Sequence, residues 1–175
     1  MRLLPSVMKL WTFQSAELEN LLDKVEVVYA EWQLTPVNWR LAYVWMAAEM
    51  ERHGIELNGH APVWAWHSCG KWFAPPTVGT AMSLLTDYQL LNGMVTIEME
   101  VPDELCLLSS YARFNELLDE VIDFGTIRHP EAHYEMFSLP LELDMDEIQA
   151  VIPCINKDWI LEIRPIDIKP GKDDY

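Results

Sequence analysis

Apolar and polar residues alternate with a period of two in some stretches of this chain and recur every three to four residues in others. The switches between the two periods mark out its elements. "KLWTFQS" (9–15) alternates enough to predict a first strand. Ser15 stands where an N-cap would open "AELENLLDKV", in which Leu18, Leu21, Leu22 and Val25 fall at helical spacing. The clearest helix lies in "LTPVNWRLAYVWMAAEMERHG" (34–54): Asn38 is expected to cap it, Leu41, Val44, Trp45 and Ala48 to form its buried face, and Gly54 to stop it. After a loop of Gly, Asn and Pro, "APVWAWHS" (61–68) predicts a short aromatic strand. "KWFAPPTVGTAMSLLTDYQLLNG" (71–93) reads as an irregular crossing segment, because Pro75 and Pro76 break regular structure.

"MVTIEMEVP" (94–102) is the best strand pattern, with Val95, Ile97, Met99 and Val101 facing one way and Thr96, Glu98 and Glu100 the other. "DELCLLSS" supplies another extended piece, and a helix capped by Ser109 or Ser110 follows it, with Tyr111, Phe114, Leu117, Leu118 and Val121 inward and Gly125 closing it. The acidic run 128–147 carries no assignable period, "IQAVIP" is a strand, Asn156 caps a turn, and "WILEIRPIDI" ends in extended form. Strands and helices interleave without a strict βαβ rhythm or a Gly-rich turn. That predicts an α+β fold of small mixed or antiparallel sheets with flanking helices. The expected layout is an extension over 1–7, one domain over 8–168 and a tail over 169–175.

Composition narrows the class. A chain of 175 residues, half of them hydrophobic and eight of them Trp, can bury a real core and is not compositionally disordered. No apolar run approaches the roughly 20 residues of a membrane helix. "MRLLPSVM" is too short for a signal peptide, and Met8 is a credible alternative start. Cys69, Cys106 and Cys154 are odd in number and widely spaced, which argues against a disulfide framework or zinc ribbon. A reducing, cytoplasmic setting without membrane association is expected.

Charge changes the picture further. The net charge is −16; residues 1–87 carry six Lys or Arg against nine Asp or Glu, and residues 88–175 carry six against nineteen. The second half therefore holds −13 of the total, which disfavours direct nucleic-acid binding, since that rests on cations neutralising phosphate. An acidic face over 98–147 is instead suited to a basic partner protein.

Candidate chemistry is sparse. His60, His67 and Cys69 lack a fourth metal ligand, and Pro130 interrupts a helical reading of His129 and His133, so no metal site is expected. Ser68 and Cys69 stand next to His67, but strand neighbours point to opposite faces, which argues against a Cys69–His67 dyad made by direct adjacency. Trp64 and Trp66 share one strand face and His67 the other. Two arrangements stay open: the indoles form a stacking platform, or they fill the core while His67 looks into a cleft.

"LWTFQS", "PVWAWHS", "VTIEMEVPDELCLLSSYARFNELL" and "IQAVIPCINKDWILEIRPI" together resemble a family of uncharacterised bacterial and phage proteins, a domain of unknown function opening with a W-T-x-Q strand. The resemblance covers most of residues 8–166. That layout in turn is similar to the ADP-ribosyltransferase-like superfamily, which implies a split sheet and NAD as a possible substrate. The similarity sets Thr12 near a family His position, Gln14 near a family Thr position, and Gln149 where a catalytic Glu belongs. It implies that Thr12, Gln14, Trp64, Trp66 and His67 line a nucleotide cleft, with Gln149 at the reacting ribose and Glu147 as a substitute acid. An amide cannot offer negative charge to a developing cation, so weakened transfer or pure binding is implied beside full activity. The competing expectation is a non-enzymatic acidic inhibitor or interaction protein of phage or mobile-element type, using Glu142, Asp144, Asp146 and Glu147.

Overall fold

A computed structural model describes residues 4–71, 73–139 and 147–168. Its centre is a six-stranded antiparallel sheet in the order β5-β6-β3-β1-β4-β8. The strands are β1 (Val7–Ser15), β3 (Val63–Ser68), β4 (Met94–Pro102), β5 (Leu107–Ser110), β6 (Ile148–Ile152) and β8 (Ile160–Pro165). A separate two-stranded sheet pairs β2 (Val27–Val28) with β7 (Ile155–Asn156). The α+β expectation holds.

Alternation in the strands builds two cores, one on each face. Leu10, Val63, Ala65, Ile97, Met99 and Ile152 lie on one face and pack with Leu18 and Leu22 of helix α1 (Glu17–Leu22) and Ile155 of β7. On the other, Leu107 and Val151 meet Ala42, Met46 and Met50 of α2 (Arg40–Arg52) and Phe114, Leu117 and Val121 of α5 (Tyr111–Phe124). Each fully buried Leu, Ile or Met contributes about 1.5–3 kcal/mol by leaving water. The inward positions expected for β4 are all buried, as are Phe114, Leu117 and Val121 of α5. Ser110 caps α5 by accepting the Arg113 N–H, and Gly125 ends it in the left-handed conformation at φ 67°.

Helix α2 departs from its expected orientation. Ala42, Met46, Glu49 and Met50 are buried, whereas Leu41 and Val44 are exposed. Apolar side chains surround this helix, so more than one stripe satisfied the spacing rule, and contact with α5 selected among them. Its cap position is Trp39, with Asn38 inside a preceding 3₁₀ turn. The segment read as irregular contains two short helices, α3 (Val78–Leu84) and α4 (Asp87–Leu91). Each is opened by a reciprocal capping box, Thr77 with Thr80 and Thr86 with Gln89. The acidic run contains helix α6 (Pro130–His133) and a 3₁₀ turn over Tyr134–Phe137, while residues 140–146 lie outside the described residues.

One discontinuity in the sheet matters for the site. β1 pairs with β4 along nine register positions, from Val7↔Pro102 to Ser15↔Met94. Its pairing with β3 is a single position, Trp11↔Trp66. Beyond it the two central strands part, and the Thr12 hydroxyl bridges them by donating to the Trp64 carbonyl at 2.7 Å.

Candidate functional site

Where β1 and β3 part, a groove of about 1190 Å³ opens. Phe13, Gln14 and Ser15 lie along one lip and Pro62, Val63 and Trp64 along the other. Further walls come from α1 and the turn after it (Leu21, Lys24), the segment 27–36 (Tyr29, Glu31, Leu34), Trp39 and Tyr43, and the α3–α4 junction (Leu84, Thr86, Gln89). The segment 27–36 is held there by β2–β7 pairing and by a backbone bridge between Ala30 and Ala61.

The aromatic wall has defined geometry. Tyr43 lies 5.0 Å from Trp64 between ring centroids, tilted by 49°, and Trp39 lies 6.3 Å from Tyr43, tilted by 40°. All three rings are half-buried. Behind Trp64 stands Phe114, at 4.5 Å. Burial, with the Tyr111 phenol adding to it, pushes the Tyr43 phenol up to about 12, so Tyr43 is a neutral donor at physiological pH. Among the described residues, Trp64 Nε1 is one of two buried side-chain nitrogen or oxygen atoms with no hydrogen-bond partner. Gln14 adds a polar group to the lining; its Nε2 donates to Oγ1 of Thr12, which is 1 % exposed and lies behind the wall, at 3.0 Å.

A second set of candidate residues forms a row across the sheet rather than a cavity. Ser109, Gln149, Trp66, Trp11 and Glu98 are successive register partners on one face. Gln149 is 5 % exposed and its Nε2 donates to Ser109 Oγ at 3.1 Å; Trp66 packs on Tyr111 at 4.9 Å. Gln149 pairs two positions beyond the Trp64↔Val151 pair, about 7 Å further along the strand.

The residues singled out by resemblance therefore separate into two groups. Thr12, Gln14 and Trp64 come together at the groove, with Thr12 as a buried support beneath Gln14. Trp66, His67 and Gln149 are buried in the sheet and do not line it. The Glu147 backbone carbonyl accepts the Tyr111 N–H. Burial, then the Glu147 charge, pushes the Cys69 thiol up to about 12.

His67 corrects one expectation. Its Nδ1 lies 2.6 Å from Ser68 Oγ, which also accepts the Phe73 N–H at 3.0 Å. The register of β3 shifts between Trp66 and Ser68, and that bulge takes the strand out of strict alternation. Ser68 is 0 % exposed, so this pair is closed to a substrate, and burial lowers the His67 pKa toward the neutral ring.

Among the described residues no group of three or more His, Cys, Asp or Glu is placed to hold a metal. His133 instead meets Glu120 at 2.5 Å, and His60 stacks on Tyr29 at 4.2 Å. Burial also raises the Cys106 and Cys154 thiols, which leaves them weak nucleophiles near neutral pH. No helix among the described residues is long and apolar enough to cross a membrane.

Glu98 anchors the far end of the polar row. It accepts the Trp11 Nε1 hydrogen at 3.1 Å and pairs with Lys9 at 3.2 Å and Arg164 at 3.5 Å. Burial pushes its carboxyl up, but the Trp11 and Lys9 hydrogen bonds and the Lys9 and Arg164 charges outweigh that and hold it below its ordinary value. A depressed carboxylate contributes stability above its unfolded pKa of about 4.3, and that contribution disappears as pH falls through the folded value. Urea midpoints should therefore fall on acidification below about pH 4.3, less steeply in Glu98→Gln than in the wild type. Glu120, lowered chiefly by its His133 hydrogen bond, leaves the variant some residual slope. Identical slopes would contradict this role for Glu98.

The groove's wall residues Tyr29, Trp39 and Tyr43 were not singled out by sequence. The spacing of Trp39 and Tyr43, four apart at a helix start, is a signal that places them on one face. A protein-family model described as a domain of unknown function (DUF3841) matches residues 9–138, from β1 to just past α6. No curated protein and no solved structure matches the chain.

Proposed function

The chain belongs to the DUF3841 family, a domain of unknown function, and on that footing we propose that it is an ADP-ribosyltransferase-like domain that binds NAD or a related nucleotide in the groove between β1 and β3, with little or no transfer activity. The observation that carries this reading is the end of β1–β3 pairing after Trp11↔Trp66, beside which an aromatic-walled groove opens with Gln14 among its polar lining residues. Large, partly apolar clefts with a few convergent polar groups are the usual form of small-molecule sites. The superfamily resemblance adds NAD as the expected ligand. Weak transfer follows from the residues available for it: Gln149 is uncharged and buried with Ser109, and neither it nor Glu147 lines the groove.

Incubating the protein with labelled NAD and cell lysate, alongside calorimetry with NAD alone, tests both halves. Saturable heat without transferred label is expected. Absence of heat overturns nucleotide binding, and efficient labelling overturns the loss of transfer.

The acidic-partner reading has less to stand on within the described residues. Glu98 is paired with Lys9 and Arg164, Glu120 with His133, and Glu116 and Glu135 with Arg113. Four of the carboxylates counted along 98–147 are thus partnered within the fold. Glu142, Asp144 and Asp146 lie outside the described residues. A partner whose capture is lost when Glu142, Asp144, Asp146 and Glu147 are neutralised would favour that reading.

A further inference from the structure

We propose that the aromatic wall of the groove is a binding site for a small organic cation of the quaternary-ammonium or N-alkylpyridinium class. Trp39, Tyr43 and Trp64 follow one another at 6.3 and 5.0 Å, each tilted against the next, so they form a curved rather than a flat wall. All three residues line the groove and are half-buried, so each keeps part of its surface exposed. The faces of indole and phenol rings carry negative potential and attract a cation held within about 6 Å, most strongly at Trp.

Charge around the groove points the same way. Its charged lining residues are Glu17 and Glu31 against Lys24. The nearby Arg40 guanidinium is turned onto the carbonyls of Trp32 and Thr35, at 3.2 and 3.5 Å. The chain as a whole carries −16 and draws cations toward it. A hard metal ion is poorly served here, because it demands several oxygen ligands and the described residues offer no such cluster. A bulky onium ion suits the wall best, since it sheds its weakly held water easily and presents its charge to the rings.

This site does not require a nucleotide, although the pyridinium ring of oxidised NAD is one member of the class. Two pairs of probes separate charge from shape in calorimetric titrations of the full chain: choline against its neutral isostere 3,3-dimethylbutanol, and N-methylnicotinamide against nicotinamide. At low salt each cation should bind about tenfold more tightly than its neutral counterpart, and the preference should shrink as salt is raised. Trp39→Leu should bring the cation down to the affinity of its isostere. Should that variant unfold, Glu31→Gln, an exposed change, should lower cation affinity about twofold at low salt and leave the neutral probe unmoved. Equal affinities within both pairs, or no binding of either cation, overturn the proposal. NAD binding without a cation preference leaves the nucleotide reading standing and removes this one. A cation preference without NAD binding does the reverse.

Discussion

Thr12→Val should destabilise the protein by about 2–4 kcal/mol, although the two side chains have nearly the same shape. The Thr12 hydroxyl donates to the Trp64 carbonyl, accepts from Gln14 Nε2, and is itself 1 % exposed. Removing it strands a buried carbonyl at the point where the β1–β3 ladder has stopped, and deprives Gln14 of its acceptor. An unsatisfied buried polar group costs about 1–3 kcal/mol, and Gln14, half-buried at the groove, recovers part of its loss by turning to water. At about 2–4 °C per kcal/mol for a chain of this length, the melting temperature should fall by roughly 5–15 °C. Thr12→Ser keeps the hydroxyl and should lose about 1 kcal/mol, the order of one deleted methyl group. Urea unfolding of the three proteins checks the order. A Val variant within about 0.5 kcal/mol of the wild type would show that this hydroxyl does not join the strands.

Trp64 should separate stability from binding. Trp64→Ala empties space against Phe114 and Tyr43 and should cost about 3–5 kcal/mol, as large-to-small core changes of aromatic residues do. Trp64→Phe keeps most of the ring packing and removes Nε1–H, which is buried without a partner. Because deleting an unsatisfied donor relieves a penalty, this variant should stay within about 1 kcal/mol of the wild type or exceed it. Both variants should lose at least threefold in nucleotide affinity, since one of the two indoles on the groove wall is gone. Paired thermal denaturation and calorimetry make the comparison. A Phe variant that is both less stable by several kcal/mol and unchanged in binding would place the value of Trp64 in packing alone.

What was legible in the chain was local. The strict alternation of Val95, Ile97, Met99 and Val101 is reproduced as one buried face of β4. The Ser110 cap and the Gly125 stop delimit α5 because each acts through its own backbone conformation. The capping boxes at Thr77 and Thr86 were equally local, yet Pro75 and Pro76 just upstream suggested an irregular course. The buried stripe of α2 was not readable, because apolar residues ring the helix and only packing on α5 distinguishes Met46 from Val44.

Site residues divide along the same line. Gln14 and Trp64 were reachable through strand motifs, since each sits beside the place where two motif strands part. Tyr29 belongs to a stretch without a motif, brought to the groove by the β2–β7 pair and the Ala30–Ala61 bridge, whereas Trp39 and Tyr43 stand at the start of a legible helix and reach the groove through Tyr43 packing on Trp64 and Phe114. The distance of Gln149 from the groove depends on the register of β6 against β3, which no spacing within β6 reveals. The open question about the aromatic strand resolves unevenly: Trp64 reaches the groove, while Trp66 and His67 are buried within the fold.

The most direct test of the nucleotide groove is to locate the ligand by backbone amide shift changes during titration with NAD. The expected result is a contiguous set of saturable changes at residues 13–15, 29–36 and 62–64, with 107–110 and 148–150 unmoved. Changes centred on Ser109, Trp66 and Gln149, or none at saturating NAD, would contradict the groove as the nucleotide site.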